Sequence, residues 1–168
     1  MERIIFHIDV NNAYLSWTAV QHLQHGNLTD LRSIPSAIVG DSDNRRGIIL
    51  AKSTPAKQYG ILTGAPPVLA LQKCPQLVCL PPDFSLYAKC SQHMFDLLLN
   101  YSDRLEQYSF DEGFLEYTGM QELFGSPFTA AQTIRDHIRS QLGFTVNIGI
   151  SCNKLLAKMA GELEKPNR

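Results

Sequence analysis

The sequence has no surplus of positive charge: 15 Lys and Arg stand against 16 Asp and Glu, a formal net charge of −1 over 168 residues. A domain that grips duplex nucleic acid alone is usually strongly basic, because it must neutralise phosphates. If nucleic acid is a partner here, most of the grip comes from elsewhere. Long apolar runs are also missing. None approaches the ~20 residues that cross a bilayer, and the short run Ile4-Ile5-Phe6-His7-Ile8 is too brief for a secretory signal. No membrane partner and a cytoplasmic location are therefore expected. The four cysteines, Cys74, Cys79, Cys90 and Cys152, form no C-x-x-C and no second pair at zinc spacing. Without secretory context they are expected to stay reduced, Cys74 and Cys79 included. A 44% hydrophobic fraction excludes disordered, collagen-like and low-complexity chains. What remains is an ordinary globular chain, long enough for about one domain or one domain with an insertion.

The apolar run ending in Asp9 reads as a buried strand. Asn11 or Asn12 can cap a helix from Ala13 to about Gln24, where Tyr14, Trp17 and Val20 recur at helical spacing. Two β-rich pieces, Pro35 to Val39 and Gly47 to Leu50, flank the polar loop 40–46 and suggest a small hairpin. Two short helices follow, opened near Pro55 and at Pro66-Pro67. After a strand near Gln76 to Leu80, Asp83 caps a long helix whose stripe Tyr87, Cys90, Met94, Leu97/Leu98, Tyr101 marks one buried face. Arg104 to Phe110 and Gly113 to Tyr117 form two strand-like stretches around Asp111-Glu112. Phe128, Ala131, Ile134, Ile138 and Leu142 mark a second amphipathic helix, followed by a strand at Phe144 to Ile150 and a helix from Asn153 to about Leu163. This order resembles a split βαββαβ, ferredoxin-like sheet with helices on one face, interrupted by a small α/β insertion. The class is α+β.

Three carboxylates stand out. Asp9 ends a buried strand, and Asp111-Glu112 occupies the bend between two others, so one sheet edge can gather all three. Like charges packed together need a divalent cation to hold them, and hard oxygen ligands point to Mg²⁺ or Mn²⁺. Strand-end aspartates also cap turns, and Asp-Glu pairs also decorate surfaces; flanked by apolar strand residues, the three together favour function. Lys154 and Lys158 project from one face of the last helix, close behind a strand. They read either as a solvated helix face or, beside a metal site, as the cations that phosphoryl transfer uses. His7 alternates onto the side of Asp9 and is read as a satisfied core histidine rather than a ligand. Trp17 is read as core.

The blocks Ile8-Asp9-Val10-Asn11-Asn12-Ala13-Tyr14, Ala51-Lys52-Ser53-Thr54-Pro55-Ala56-Lys57-Gln58-Tyr59-Gly60-Ile61, Ser109-Phe110-Asp111-Glu112-Gly113-Phe114 and Gly149-Ile150-Ser151-Cys152-Asn153-Lys154, with Ala157-Lys158 and Lys165-Pro166-Asn167, occur in an order that resembles the Y-family (translesion, DNA polymerase IV-like) polymerases across nearly the whole chain. The resemblance implies a catalytic palm at residues 1–10 and 76–166, with fingers at 11–75. It implies that Asp9, Asp111 and Glu112, helped by the Val10 carbonyl, hold two Mg²⁺ ions, for which Mn²⁺ can substitute. The implied reaction is attack of a primer 3′-hydroxyl on a deoxynucleoside triphosphate. Tyr14 falls at the steric gate against ribonucleotides, and Thr54, Lys57 and Lys158 at triphosphate-contacting positions. Three residues depart from the usual pattern: Asn11 replaces a second carboxylate, Thr54 a tyrosine and Lys57 an arginine. Thr54 keeps a hydroxyl with less reach, and Lys57 exchanges a bidentate fork for a point charge. The family continues into thumb and little-finger domains, which this chain lacks, so primer–template DNA is expected to be held mainly by those parts and a sliding clamp to be met beyond them. A monomer that binds dNTP weakly and extends DNA poorly by itself is expected. Two other readings share the motifs: a nucleotidyl cyclase, against which Tyr14 and the insertion argue, and a non-catalytic DNA- or partner-binding module, against which the three retained carboxylates argue.

Overall fold

The computed structural model describes residues 2–40 and 47–163, so loop residues 41–46 and the closing Lys165-Pro166-Asn167 block lie outside the description. The chain divides into two units, residues 1–11 with 88–168, and residues 12–87.

The first unit is built on a four-stranded sheet of β1 (Ile5–Val10), β5 (Leu105–Gln107), β6 (Glu112–Glu116) and β7 (Val146–Ser151). Its order is β5-β6-β1-β7 with every neighbouring pair antiparallel, which is the split βαββαβ arrangement expected. The strand β1 lies between β6 and β7 and is buried at all six positions. Burial on both faces explains why it reads as a continuous apolar run rather than an alternating one. On one face, Phe6 stacks on Tyr117 with ring centroids 4.8 Å apart. Phe95, in α4 (Phe84–Leu98), presses on Gly113, where an added Cβ would come within 2.5 Å of the ring. The crossover helix α6 (Pro127–His137) packs against β7 and runs on into a π-helical turn, Ile138–Leu142. Ser126 caps α6 by accepting from Thr129 N. Phe128, expected in the buried stripe, is instead 68% exposed, because it sits in the first turn of α6.

The last helix, α7 (Lys154–Glu162), follows the βαββαβ unit. It crosses the opposite face, the one bearing Ile5, His7 and Phe114, and buries Ala157 against Ile5 and Phe114. Two glycines permit this approach. A Cβ on Gly149 would fall 2.0 Å from the Ala157 carbonyl and 2.3 Å from Gly161 N. Such helix–strand contact pairs residues in different elements and is invisible to a local periodicity.

The second unit holds a three-stranded sheet ordered β3-β2-β4, from β2 (Ser36–Val39), β3 (Ile49–Lys52) and β4 (Val78–Leu80). β2 and β3 form the expected antiparallel hairpin, and β4 joins β2 in parallel. Strand β4 therefore belongs with the insertion: the contact division falls at residues 87/88, whereas the sequence boundary was drawn at 75/76. The pairing of Ser36 with Val78 is too distant in sequence for composition to reveal. Leu15 and Ala19 of α1 (Ala13–Gln24) pack with Ile38 and Ala51. Ala56 of α2 (Thr54–Gln58) and Ala70 of α3 (Pro67–Lys73) pack with Ala37, Val39 and Ile49, the alternate set on the other face. Asn12 does not cap α1 with its side chain. It takes a left-handed backbone, φ 51°, and its Nδ2 donates to the Lys52 carbonyl at 2.8 Å.

Candidate active site

The register of β1 and β6 sets Asp9 directly across from Glu112, with Asn147 of β7 on the other side of Asp9. Asp9 is 7% exposed. Asp111 precedes β6, and its carbonyl accepts a 3.0 Å bond from Val10 N, so the backbones of Asp9-Val10 and Asp111-Glu112 are tied together. Ser109 organises the bend. Its Oγ donates to Asp111 Oδ1 at 2.8 Å and accepts from the amides of Asp111 and Glu112 at 3.3 and 3.1 Å. This is a serine turn that the Ser-x-Asp-Glu spacing foreshadows.

Asn153 caps α7 by accepting from Leu156 N, and α7 then delivers Lys158 to Glu112. The ammonium lies 2.8 Å from Oε2 and 3.1 Å from Oε1, so both carboxylate oxygens hold it. It also sits 5.0 Å from the Tyr108 ring centroid, a favourable place for a cation. Burial pushes the Glu112 carboxyl up, but hydrogen bonding and charge from Lys158, with a smaller pull from nearby His7, hold it below the usual value. The same bond raises the Lys158 ammonium. Lys154 pairs instead with Glu106, so the two lysines of one helix face serve different carboxylates.

His7 is in the core, as expected, but it is not satisfied. It is 1% exposed, and neither ring nitrogen has a hydrogen-bond partner among the described residues; Nε2 stands 3.8 Å from Glu112 Oε2. Burial pushes the imidazole down, against the pull of Glu112 and Asp9. Its two-residue spacing from Asp9 was the signal that it shares the carboxylates' face.

The remaining sequence-predicted residues lie in the second unit. Tyr14 is half-buried on α1 and stacks on Tyr87, centroids 4.6 Å apart and planes within 6°, with Phe84 edge-on. Thr54 and Lys57 are exposed on α2, which Ser53 caps by accepting from Ala56 N. Lys52, given no role from sequence, lies close enough to Lys57 that burial, then that neighbour's charge, pushes its ammonium down. Its Nζ donates to Thr63 Oγ1 at 2.8 Å.

A divalent cation would ask for hard oxygen ligands. Among the described residues, no three His, Cys, Asp or Glu side chains are drawn together as a ligand set. Ser109 bonds Asp111, and Lys158 bonds Glu112. In kind, the donors fit. Three carboxylates stand on tied backbones, and a cation, the Lys158 ammonium, is already gripped by both oxygens of one of them.

Comparison with known proteins adds the family. The sequence profile of the impB/mucB/samB family matches residues 8–162. The chain belongs to this family. Among curated impB/mucB/samB relatives, it is 48% identical over 172 residues to the DNA polymerase IV of Clostridium acetobutylicum, covering 100% of this chain and 42% of that one. It is 38% identical over 167 residues to the DNA polymerase IV of Acetivibrio thermocellus, covering 99% and 40%. The chain thus spans about two fifths of the length of these relatives. A solved insertion ternary complex of Dbh DNA polymerase superposes with a TM-score of 0.84 at 25% identity, over 98% of this chain and 47% of that one. DinB from Sulfolobus solfataricus shares the fold, with a TM-score of 0.83 at 24% identity over 97% and 46%. These matches agree with the Y-family resemblance and with the α+β class. Among the described residues, no helix is long and apolar enough to cross a membrane.

Proposed function

We propose that this impB/mucB/samB chain carries the catalytic part of a translesion DNA polymerase, joining a dNTP to a primer 3′-hydroxyl under direction of a template. The observation that carries the reading is the tie between Asp9-Val10 and Asp111-Glu112 across adjacent strands, with Lys158 aimed at the same edge. In this reading the first unit acts as palm and the second as fingers. Asp9, Asp111 and Glu112, with the Val10 carbonyl, would hold two divalent cations, Mg²⁺ or Mn²⁺. Bound there, such ions supply the acidity that makes a 3′-hydroxyl nucleophilic and the charge that a triphosphate leaving group needs.

The chain's own residues do the rest. Lys158, Lys57 and the Thr54 hydroxyl bind triphosphate oxygens. Tyr14, braced by its stack on Tyr87, fills the space a 2′-hydroxyl would need, so ribonucleotides are refused by shape. The net charge of −1 supports assigning the grip on primer–template DNA, and any sliding-clamp contact, to the length of the relatives that this chain does not span. The enzyme acts as a cytoplasmic monomer in DNA damage bypass and repair.

The test is a chimera in which this chain replaces the matching part of the Clostridium acetobutylicum polymerase. Primer extension is expected, and Asp111→Asn should abolish it while DNA binding survives. Extension that persists in Asp111→Asn would remove Asp111 from the centre. Cyclic nucleotide formed without primer would instead support a cyclase.

A further inference from the structure

Glu112 holds the Lys158 ammonium. The ammonium contacts both carboxylate oxygens, at 2.8 and 3.1 Å, and so holds a carboxylate that the polymerase reading assigns to a metal ion. Two features show that this pairing is built in. Lys158 sits one turn beyond Lys154 on α7, and α7 is seated on the sheet by Gly149 and Gly161, so the position of Lys158 is fixed by close backbone packing. Beneath the pair, His7 offers Glu112 no hydrogen bond at normal distance, its Nε2 standing 3.8 Å away. Among the described residues, Lys158 is therefore the cationic side chain bonded to this carboxylate. An ammonium on a carboxylate forms a charge-assisted bond, strong enough to compete with a weakly bound divalent ion.

We propose that Lys158 is an internal counter-ion of Glu112 which is exchanged, not retained, when the site loads. Before a metal ion binds, it neutralises Glu112. A divalent cation must displace it, and the freed ammonium becomes available for the phosphates of the incoming triphosphate. Metal binding and triphosphate binding are then coupled through one side chain. The inference rests on the polymerase reading for the ligands, and it makes an unusual claim: deleting a positive charge from a phosphate-binding residue tightens metal binding when no nucleotide is present.

The probe is Mn²⁺ alone, titrated against this 168-residue chain without nucleotide or DNA, with free Mn²⁺ counted by electron paramagnetic resonance. Lys158→Met should bind Mn²⁺ roughly three- to tenfold more tightly than the parent, the upper figure being limited by solvent screening of a partly exposed pair. Lys158→Arg, which keeps the charge, should not show this gain. Lys154→Met removes the same charge one turn away and should change affinity less than twofold. Local damage to α7 cannot mimic a gain in affinity. Equal tightening in Lys154→Met would assign the effect to net charge and overturn the exchange, as would unchanged or weaker binding in Lys158→Met. Asp111→Asn separates the two levels. If it weakens Mn²⁺ binding while Lys158→Met does nothing, the exchange falls and the polymerase reading stands; if Asp111→Asn leaves Mn²⁺ binding untouched, both fall.

Discussion

Replacing Gly149 by Ala tests whether the seat of α7 is as tight as it looks. The new Cβ would lie 2.0 Å from the Ala157 carbonyl, 2.3 Å from Gly161 N and 2.9 Å from Gly161 Cα. All three atoms are backbone, so no side chain can swing aside; α7 must lift by about 1 Å or more to restore ordinary contact. Lifting it opens the packing of Ala157 on Ile5 and Phe114, all of which are buried. Overpacking of this kind costs ~1–3 kcal/mol, and a clash against backbone on both sides belongs at the top of that range. For a chain of this size ~3 kcal/mol lowers Tm by about 6–12 °C. Gly161→Ala is the internal standard. Its Cβ would meet Gly149 N at 3.3 Å and His7 Nδ1 at 3.4 Å, contacts that a few tenths of an ångström relieve. The helix gains ~1 kcal/mol of propensity in exchange, so its net change should stay within about 1 kcal/mol. Urea unfolding of the two variants in parallel gives the comparison. A Gly149→Ala protein with a midpoint equal to the parent's would refute the close-packing argument, and with it the account of how Lys158 is positioned.

Tyr14→Ala in the chimeric polymerase should admit ribonucleotides, read as the ratio of kcat/KM for dNTP and rNTP falling by at least tenfold; an unchanged ratio removes Tyr14 from the gate. Ser109→Ala deletes a donor to Asp111 and an acceptor for two amides, so it should cost ~1–2 kcal/mol by urea unfolding and weaken Mn²⁺ binding. Burial holds the Tyr87, Tyr101 and Tyr117 hydroxyls above the usual phenol value. The folded chain then keeps protons that the unfolded chain has released, so this stability is complete below about pH 10 and is lost as pH rises beyond it. Urea midpoints should therefore fall on the alkaline side together with a late tyrosinate absorbance step. Flat midpoints through that window would contradict the burial of these rings.

Local patterns announced most of the elements. The helix Ala13–Gln24 was bounded correctly because its apolar spacing and its flanking Gly26-Asn27 lie within the segment itself. Asp83 was legible as a cap for the same reason: it accepts from Leu86 N at 2.9 Å. What escaped depended on pairs distant in sequence. The parallel joining of β4 to β2 and the seating of α7 where Gly149 meets Gly161 are both of this kind. At the site, the strand-end position of Asp9 and the bend at Asp111-Glu112 could be read directly. That Lys154 would turn to Glu106 while Lys158 turned to Glu112 could not, since both lysines share one helical face and only the sheet register separates their partners.

The central strand of the first sheet lies ahead of both its partners in the chain. Both of its partners, Glu112–Glu116 and Val146–Ser151, are made long afterwards. At ~5–20 residues per second, Ile5–Val10 waits on the order of 5–25 s with two unpaired edges and an apolar sequence. Residues 12–87 have their own sheet and core. During that interval the strand that carries Asp9 has neither of its partners. Until those partners arrive, a strand buried at all six positions in the folded chain offers two apolar edges to misdirected pairing.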